Sequence, residues 1–292
     1  MSFSGIAQPD AGTVPRSWVG RHPLPAFFAL CFGISWGGIL IVLAATGFRL
    51  AAMRPLETGL IFAAMLLGPS VSGLILTAVL DGRAGLRRLG AGLMHWNVGA
   101  RWYAMALLTI PLILLAILLP LSAIVGPAFA PRFQWALLGV GLIAGTFEEI
   151  GWTGFATPRL LAGQRIIVAG LSLGLIWAFW HVLVDFRYNF EAMGMVWPLE
   201  FVVVYIGALV PYRILMSWVY ASTGSLLLAV LMHASYTGWL MVLFPTASLA
   251  ENLAWQAAFA IVLWIAAAVV WRGVSAHAEA RRSPAFGPAE GR

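Results

Sequence analysis

Glu148, Glu149, His181, Asp185 and His233 lie inside long, largely apolar stretches of the chain. Glu148 and Glu149 are neighbours in the run Phe147 to Phe155, His181 and Asp185 stand four apart in Trp177 to Asp185, and His233 lies in Leu231 to Thr237. A charge at membrane depth costs roughly 3 kcal/mol even on lenient scales, so ionisable groups in such runs are functional candidates by default. Adjacent residues on a helix point about 100° apart, so Glu148 and Glu149 cannot share a face. One can meet a reaction centre while the other turns to a structural partner. Burial and a neighbouring imidazolium pull a carboxylate's proton affinity in opposite directions, and a Glu and a His on facing helices can thereby ready a water for deprotonation. The bland alternative is a buried Glu that satisfies a His or Arg213 and stabilises a bundle. Asp185, one turn after His181, could orient its ring or could be an ordinary interfacial Asp.

The elements that must hold these residues follow from composition. The chain has 292 residues, 61% apolar and 10% charged. Soluble domains are about 45–50% apolar and about 25% charged, so lipid rather than water must solvate most of this surface. The expected fold is all-α, a polytopic transmembrane helix bundle of about eight spans: 24–46, 58–80, 102–126, 134–155, 166–185, 198–219, 224–244 and 252–271. Residues 1–22 read as a cytoplasmic N-terminal tail, 23–271 as the membrane domain, and 272–292 as a disordered C-terminal tail. The segments between spans are short, leaving no room for a soluble domain. Glycines four apart, at Gly33/Gly37, Gly141/Gly145 and Gly170/Gly174, predict close helix–helix approach.

The net charge of +6 comes with 17 basic residues, all arginine. They are scattered between apolar runs and build no continuous patch for a phosphate backbone, so nucleic acid is not an expected partner. Membrane orientation accounts for them better. The tails and the loops after spans two, four and six hold 12 of the 17. The positive-inside rule then puts both termini in the cytoplasm, and the arginine-only basic set hints at the plasma membrane of a bacterium. The single cysteine, Cys31, excludes a disulfide framework and every multi-cysteine zinc site.

The chain has no HExxH, no Gly-Asp pair and no GxSxG serine elbow in these spans, which takes support from zinc, aspartyl and serine intramembrane mechanisms. Glu, His and His could supply three ligands to a catalytic zinc, although the spacing carries no dedicated metal signature. Ser222, Thr223 and Ser225 read as a turn and N-cap.

Three motifs in order resemble those of the CPBP intramembrane proteases, which include the CAAX prenyl endopeptidases and the Abi bacteriocin-immunity proteins. Glu148-Glu149 through Gly154-Phe155 resembles the first motif, EExxxR followed by Gly and an aromatic. Trp177 and His181 resemble the second, and Thr223-Gly224-Ser225 followed by His233 and Thr237 the third. The resemblance covers roughly residues 134–245, the protease-like core. It implies an intramembrane endopeptidase acting on a peptide or membrane-protein substrate, with no cofactor and zinc not favoured. It also implies that Glu148 and His181 activate the attacking water and that His233 helps hold the oxyanion, with Thr237 where the family has Asn. Thr153 replaces the family's Arg, so Glu149 must stay protonated or find Arg159, Arg165 or Arg213. Other readings are a non-catalytic immunity or scaffold protein of the same fold, and a proton-coupled transporter, the latter disfavoured by the lack of an internal repeat. Depth counting puts His181 below Glu148 and His233, a mismatch that fades if the fifth span enters lipid nearer Leu171.

Overall fold

The structure, a computed structural model, describes residues 17–48 and 54–282, with side chains to residue 274. Among the described residues every regular element is helical. After a short α1 (Trp18–Arg21) come α2 (Pro23–Ala45), α3 (Pro55–Leu93), α4 (Ala100–Ile124), α5 (Leu138–Gly151), α6 (Thr157–Gly163) and α7 (Ile166–Met193). These are followed by α8 (Trp197–Phe201), α9 (Val210–Thr223), α10 (Leu226–Leu243) and α11 (Leu249–Arg282). Six helical stretches are long and apolar enough to cross a membrane. One of them, residues 166–223, turns back at Gly194, whose φ of 53° is open to glycine at little cost, and so supplies two arms. The polytopic bundle is as the composition implies.

Local chemistry sets the ends. Prolines stand at the first helical position of α2 and α3, where the missing N–H would have had no partner. Gly224, at φ 68°, closes α9, and the Ser225 side chain accepts from Leu228 N at 3.2 Å to open α10, so the Thr-Gly-Ser stretch is the turn and cap it resembles. At the C-terminus, α11 runs on to Arg282, past the boundary expected at residue 272; this stretch is rich in Ala, a strong helix former. The rest of that expected tail, 283–292, and residues 1–16 of the expected N-terminal tail lie outside the described residues.

The core is organised around α5, which lies between α10 and α3. A methyl on Gly141 would fall 2.5 Å from Ala234 O, and one on Gly145 would fall 2.6 Å from Val230 O, so only glycine lets α5 and α10 approach this closely. Gly170 and Gly174 do the same for α7 against Ile214 and Val210 of α9. The third pair departs from expectation: nothing lies within reach of a methyl at Gly33 or Gly37. On α2 it is Gly38, against Ala64, that meets α3.

Candidate active site

Glu148 and Glu149 end α5 and lead into a π-helical turn, Trp152–Ala156, before α6. Such single wide turns recur at functional sites because they re-aim the side chains that follow. Both glutamates are buried, yet they face different helices. Glu149 turns toward α9 and α10. Arg213 Nη1 donates to its Oε1 at 2.9 Å and its Oε2 at 2.8 Å, His233 Nδ1 donates to Oε1 at 2.8 Å, and the Thr153 hydroxyl donates to Oε2. Arg213 Nη2 also reaches Thr153 Oγ1 at 3.2 Å, and its guanidinium lies 5.1 Å from the centre of the Trp177 ring. Of the three arginines open to Glu149 on sequence grounds, Arg213 is the partner. Arg159 instead pairs with Asp81 at 2.9 Å, and Arg165 is exposed.

Glu148 turns toward α7. Its Oε2 accepts from two indoles, Trp177 Nε1 at 2.9 Å and Trp152 Nε1 at 3.3 Å, and its Oε1 lies 3.8 Å from His233 Nε2. Among the described residues no cation pairs with it apart from that imidazole. The aromatic wall behind it is continuous: Phe27 meets Trp152 edge-on at 5.5 Å and stacks on Phe155, and Trp152 meets Trp180. Each such pair contributes about 0.5–1.5 kcal/mol beyond its buried area and fixes the indole that holds Glu148.

Because Glu149 can only accept, His233 donates from Nδ1 and presents Nε2 to Glu148. His233 thus bridges the two carboxylates. Thr237 follows one turn along α10, half-buried, on the same helix face as His233 and with no side-chain hydrogen bond among the described residues.

His181 is one turn further along α7 than Trp177, about 6 Å by helical rise. Its Nδ1 donates to Trp177 O at 2.9 Å, and its ring lies 5.9 Å from that of Trp177, 4.8 Å from Trp180 and 4.9 Å from Tyr205. A carbonyl accepts only, so Nε2 is left as the free lone pair. The Trp177 ring also lies 5.1 Å from that of His233, so this indole neighbours both imidazoles. The structure brings Glu148, Glu149 and His233 together, and sets His181 beside the Trp177 ring with no hydrogen bond to those three among the described residues. The helix starts at Ile166, and Gly170 packs on Ile214 of α9.

Asp185 does not orient His181. Its carboxylate accepts from Asn189 Nδ2 at 2.7 Å, Trp197 Nε1 at 2.7 Å and the Tyr205 hydroxyl at 2.9 Å, because at this end of α7 it faces the arm that returns after Gly194. Its link to His181 runs through the Tyr205 ring. The sequence reading had no role for Trp152, although it stands four residues after Glu148, one turn on along the same face. Among the described residues no three His, Cys, Asp or Glu side chains converge as a metal's ligand set.

The polytopic bundle is an integral membrane protein that encloses a carboxylate–imidazole–guanidinium set. Residues 130–239 match the family described as type II CAAX prenyl endopeptidase Rce1-like. Over 98 residues the chain is 30% identical to CAAX prenyl protease 2 of Methanococcus maripaludis, which takes in 32% of this chain and 35% of that protein. This part of the membrane core is thus similar to the CAAX proteases that its motifs resemble, while the chain spans only about a third of the length of this curated relative.

Proposed function

We propose that the chain is an intramembrane endopeptidase that hydrolyses a peptide bond of a membrane-associated substrate with a water activated by Glu148. The observation that carries this reading is the unequal state of the two adjacent glutamates. Glu149 is consumed by Arg213, His233 and Thr153, whereas Glu148 meets two neutral indoles and one imidazole edge. A carboxylate so placed can take a proton from water as the oxygen attacks the carbonyl carbon, then deliver it to the leaving amine nitrogen as the C–N bond breaks. His181, with Nε2 open, is the second group assigned to that water. His233 is the oxyanion donor, with its Nδ1–H fixed on Glu149 and Nε2–H free to turn from Glu148 to the developing charge. Thr237, one turn on, supplies a further hydroxyl. With His233 doubly protonated, the set Arg213, Glu149, His233 and Glu148 carries no net charge, as a low-dielectric interior requires.

Arg213 and Thr153 together supply to Glu149 what the family's motif arginine would, so this departure is consistent with catalysis. Thr237 in place of Asn is the observation that favours the rival reading, a non-catalytic immunity or scaffold protein that binds a peptide at the same polar cluster. No metal is invoked, and cleavage is expected to withstand chelators. The proposed location is a bacterial plasma membrane with both termini cytoplasmic, a reading supported by the distribution of arginines between the loops. The test is cleavage of a membrane-tethered peptide by the purified chain and its Glu148→Ala and His181→Ala variants. Loss of product in both, with unchanged folding, supports the reading. Full activity in both refutes it, and capture of the peptide by the native chain without products supports the rival.

A further inference from the structure

The end of the bundle where α3, α6 and α7 meet is charged out of balance. Gly82 takes φ 61° and ψ −154°, which breaks the axis of α3, so residues 83–93 run as a separate helical stretch. One face of this stretch is seated on the protein. Leu89 is buried against Gly154, in the π-helical turn that follows Glu149, where a methyl would collide with it, and Gly92 abuts Leu226 of α10. The other face exposes Arg83, Arg87 and Arg88. Arg101 at the start of α4 and Arg159 and Arg165 flanking the end of α6 extend the basic set.

Set against these six arginines is one carboxylate, Asp81, shared by Arg159 at 2.9 Å and Arg88 at 3.6 Å. Among the described residues Arg83, Arg87 and Arg165 meet no acid. Leu86, Met94 and Trp96 are exposed beside them, Met94 at 73% and Trp96 at 69%. At the opposite end Arg54 pairs with Glu57 at 2.6 Å, and Glu251 caps α11 through Ser248. Arginine interleaved with Trp and aliphatic side chains at the end of an apolar span is the composition of the headgroup layer, and guanidinium matches phosphate oxygens bidentately.

We infer that this rim is a binding site for the phosphate headgroups of anionic phospholipids, gripped by Arg83 and Arg87 on the 83–93 helix. Because Leu89 seats that helix on Gly154, a bound lipid also steadies the turn from Trp152 to Ala156. The site stands on its own and does not depend on the peptidase reading, since its tests use no substrate. Full-length protein in a zwitterionic detergent is titrated with phosphatidylglycerol and, separately, phosphatidylcholine, and retained lipid is read by native mass spectrometry. Phosphatidylglycerol is expected to bind preferentially and to weaken as salt is raised. Each guanidinium contributes about fivefold, so the Arg83→Gln/Arg87→Gln variant is expected to lose about 25-fold in affinity. Arg132→Gln, at the opposite end, is expected to lose nothing. Amide exchange in residues 152–156 should slow with phosphatidylglycerol in the native chain and not in the double variant. Equal retention of the two lipids, native affinity in the double variant, competition by inorganic phosphate at equal concentration, or unchanged exchange in the turn would each overturn the inference.

Discussion

Glu148 and Glu149 are joined by one peptide bond and live in different electrostatic surroundings. Glu149 is held by a guanidinium, an imidazole N–H and a hydroxyl, drawn from three helical elements. Glu148 is held by two indole N–H groups and by nothing charged except the far edge of the same imidazole. The cause is the angle of about 100° between neighbouring helical residues, which aims one carboxylate at α9 and α10 and the other at α7. A carboxylate clamped by a buried arginine is a structural anion; one on neutral donors beside an imidazole can exchange a proton. The pair shows how two identical side chains acquire different partners from geometry alone.

Breaking the anchored half should have the largest effect on the fold. Arg213→Met leaves Glu149 as an uncompensated buried charge and is expected to destabilise the protein by about 3–5 kcal/mol. Equilibrium unfolding in mixed micelles measures this, and Arg213→Met combined with Glu149→Met should recover most of it, since burial of a matched apolar pair carries no such penalty. The open half is sharpened by Thr237→Ala. If its hydroxyl meets the oxyanion, turnover should fall about 10²-fold with stability unchanged. Unchanged turnover would remove Thr237 from the site and leave His233 alone there. The smallest effect is expected of Thr153→Val, which deletes the hydroxyl shared by Glu149 and Arg213. A loss of about 1–2 kcal/mol in stability with cleavage kept within a few-fold would place it wholly on the structural side.

Much of this arrangement is legible in the sequence, and the rest is hidden for definite reasons. The spans are read from apolar runs of about 20 residues, and the close approach of α5 to α10 and of α7 to α9 from Gly141/Gly145 and Gly170/Gly174. Gly33/Gly37 has the same spacing and packs on nothing, because spacing alone does not say which face meets a neighbour. The partner of Glu149 lies 64 residues away on another helix. Sequence could narrow it to three arginines, of which Arg213 alone lies inside a span, but only the packing of α7 along α9 selects it. The Trp152 donor was within reach of the i, i+4 rule. The turn of Asp185 toward Trp197 and Tyr205 depends on how α7 is rotated and seated against its returning arm, which local pattern does not encode.

The central claim, that the two glutamates divide structure from chemistry, is tested most directly by comparing Glu148→Gln with Glu149→Gln for both unfolding and hydrolysis of a membrane-tethered peptide. The account predicts that Glu148→Gln unfolds like the native chain and loses cleavage by about 10²–10⁴-fold, while Glu149→Gln loses stability before anything else. Native-level cleavage by a well-folded Glu148→Gln protein would contradict it.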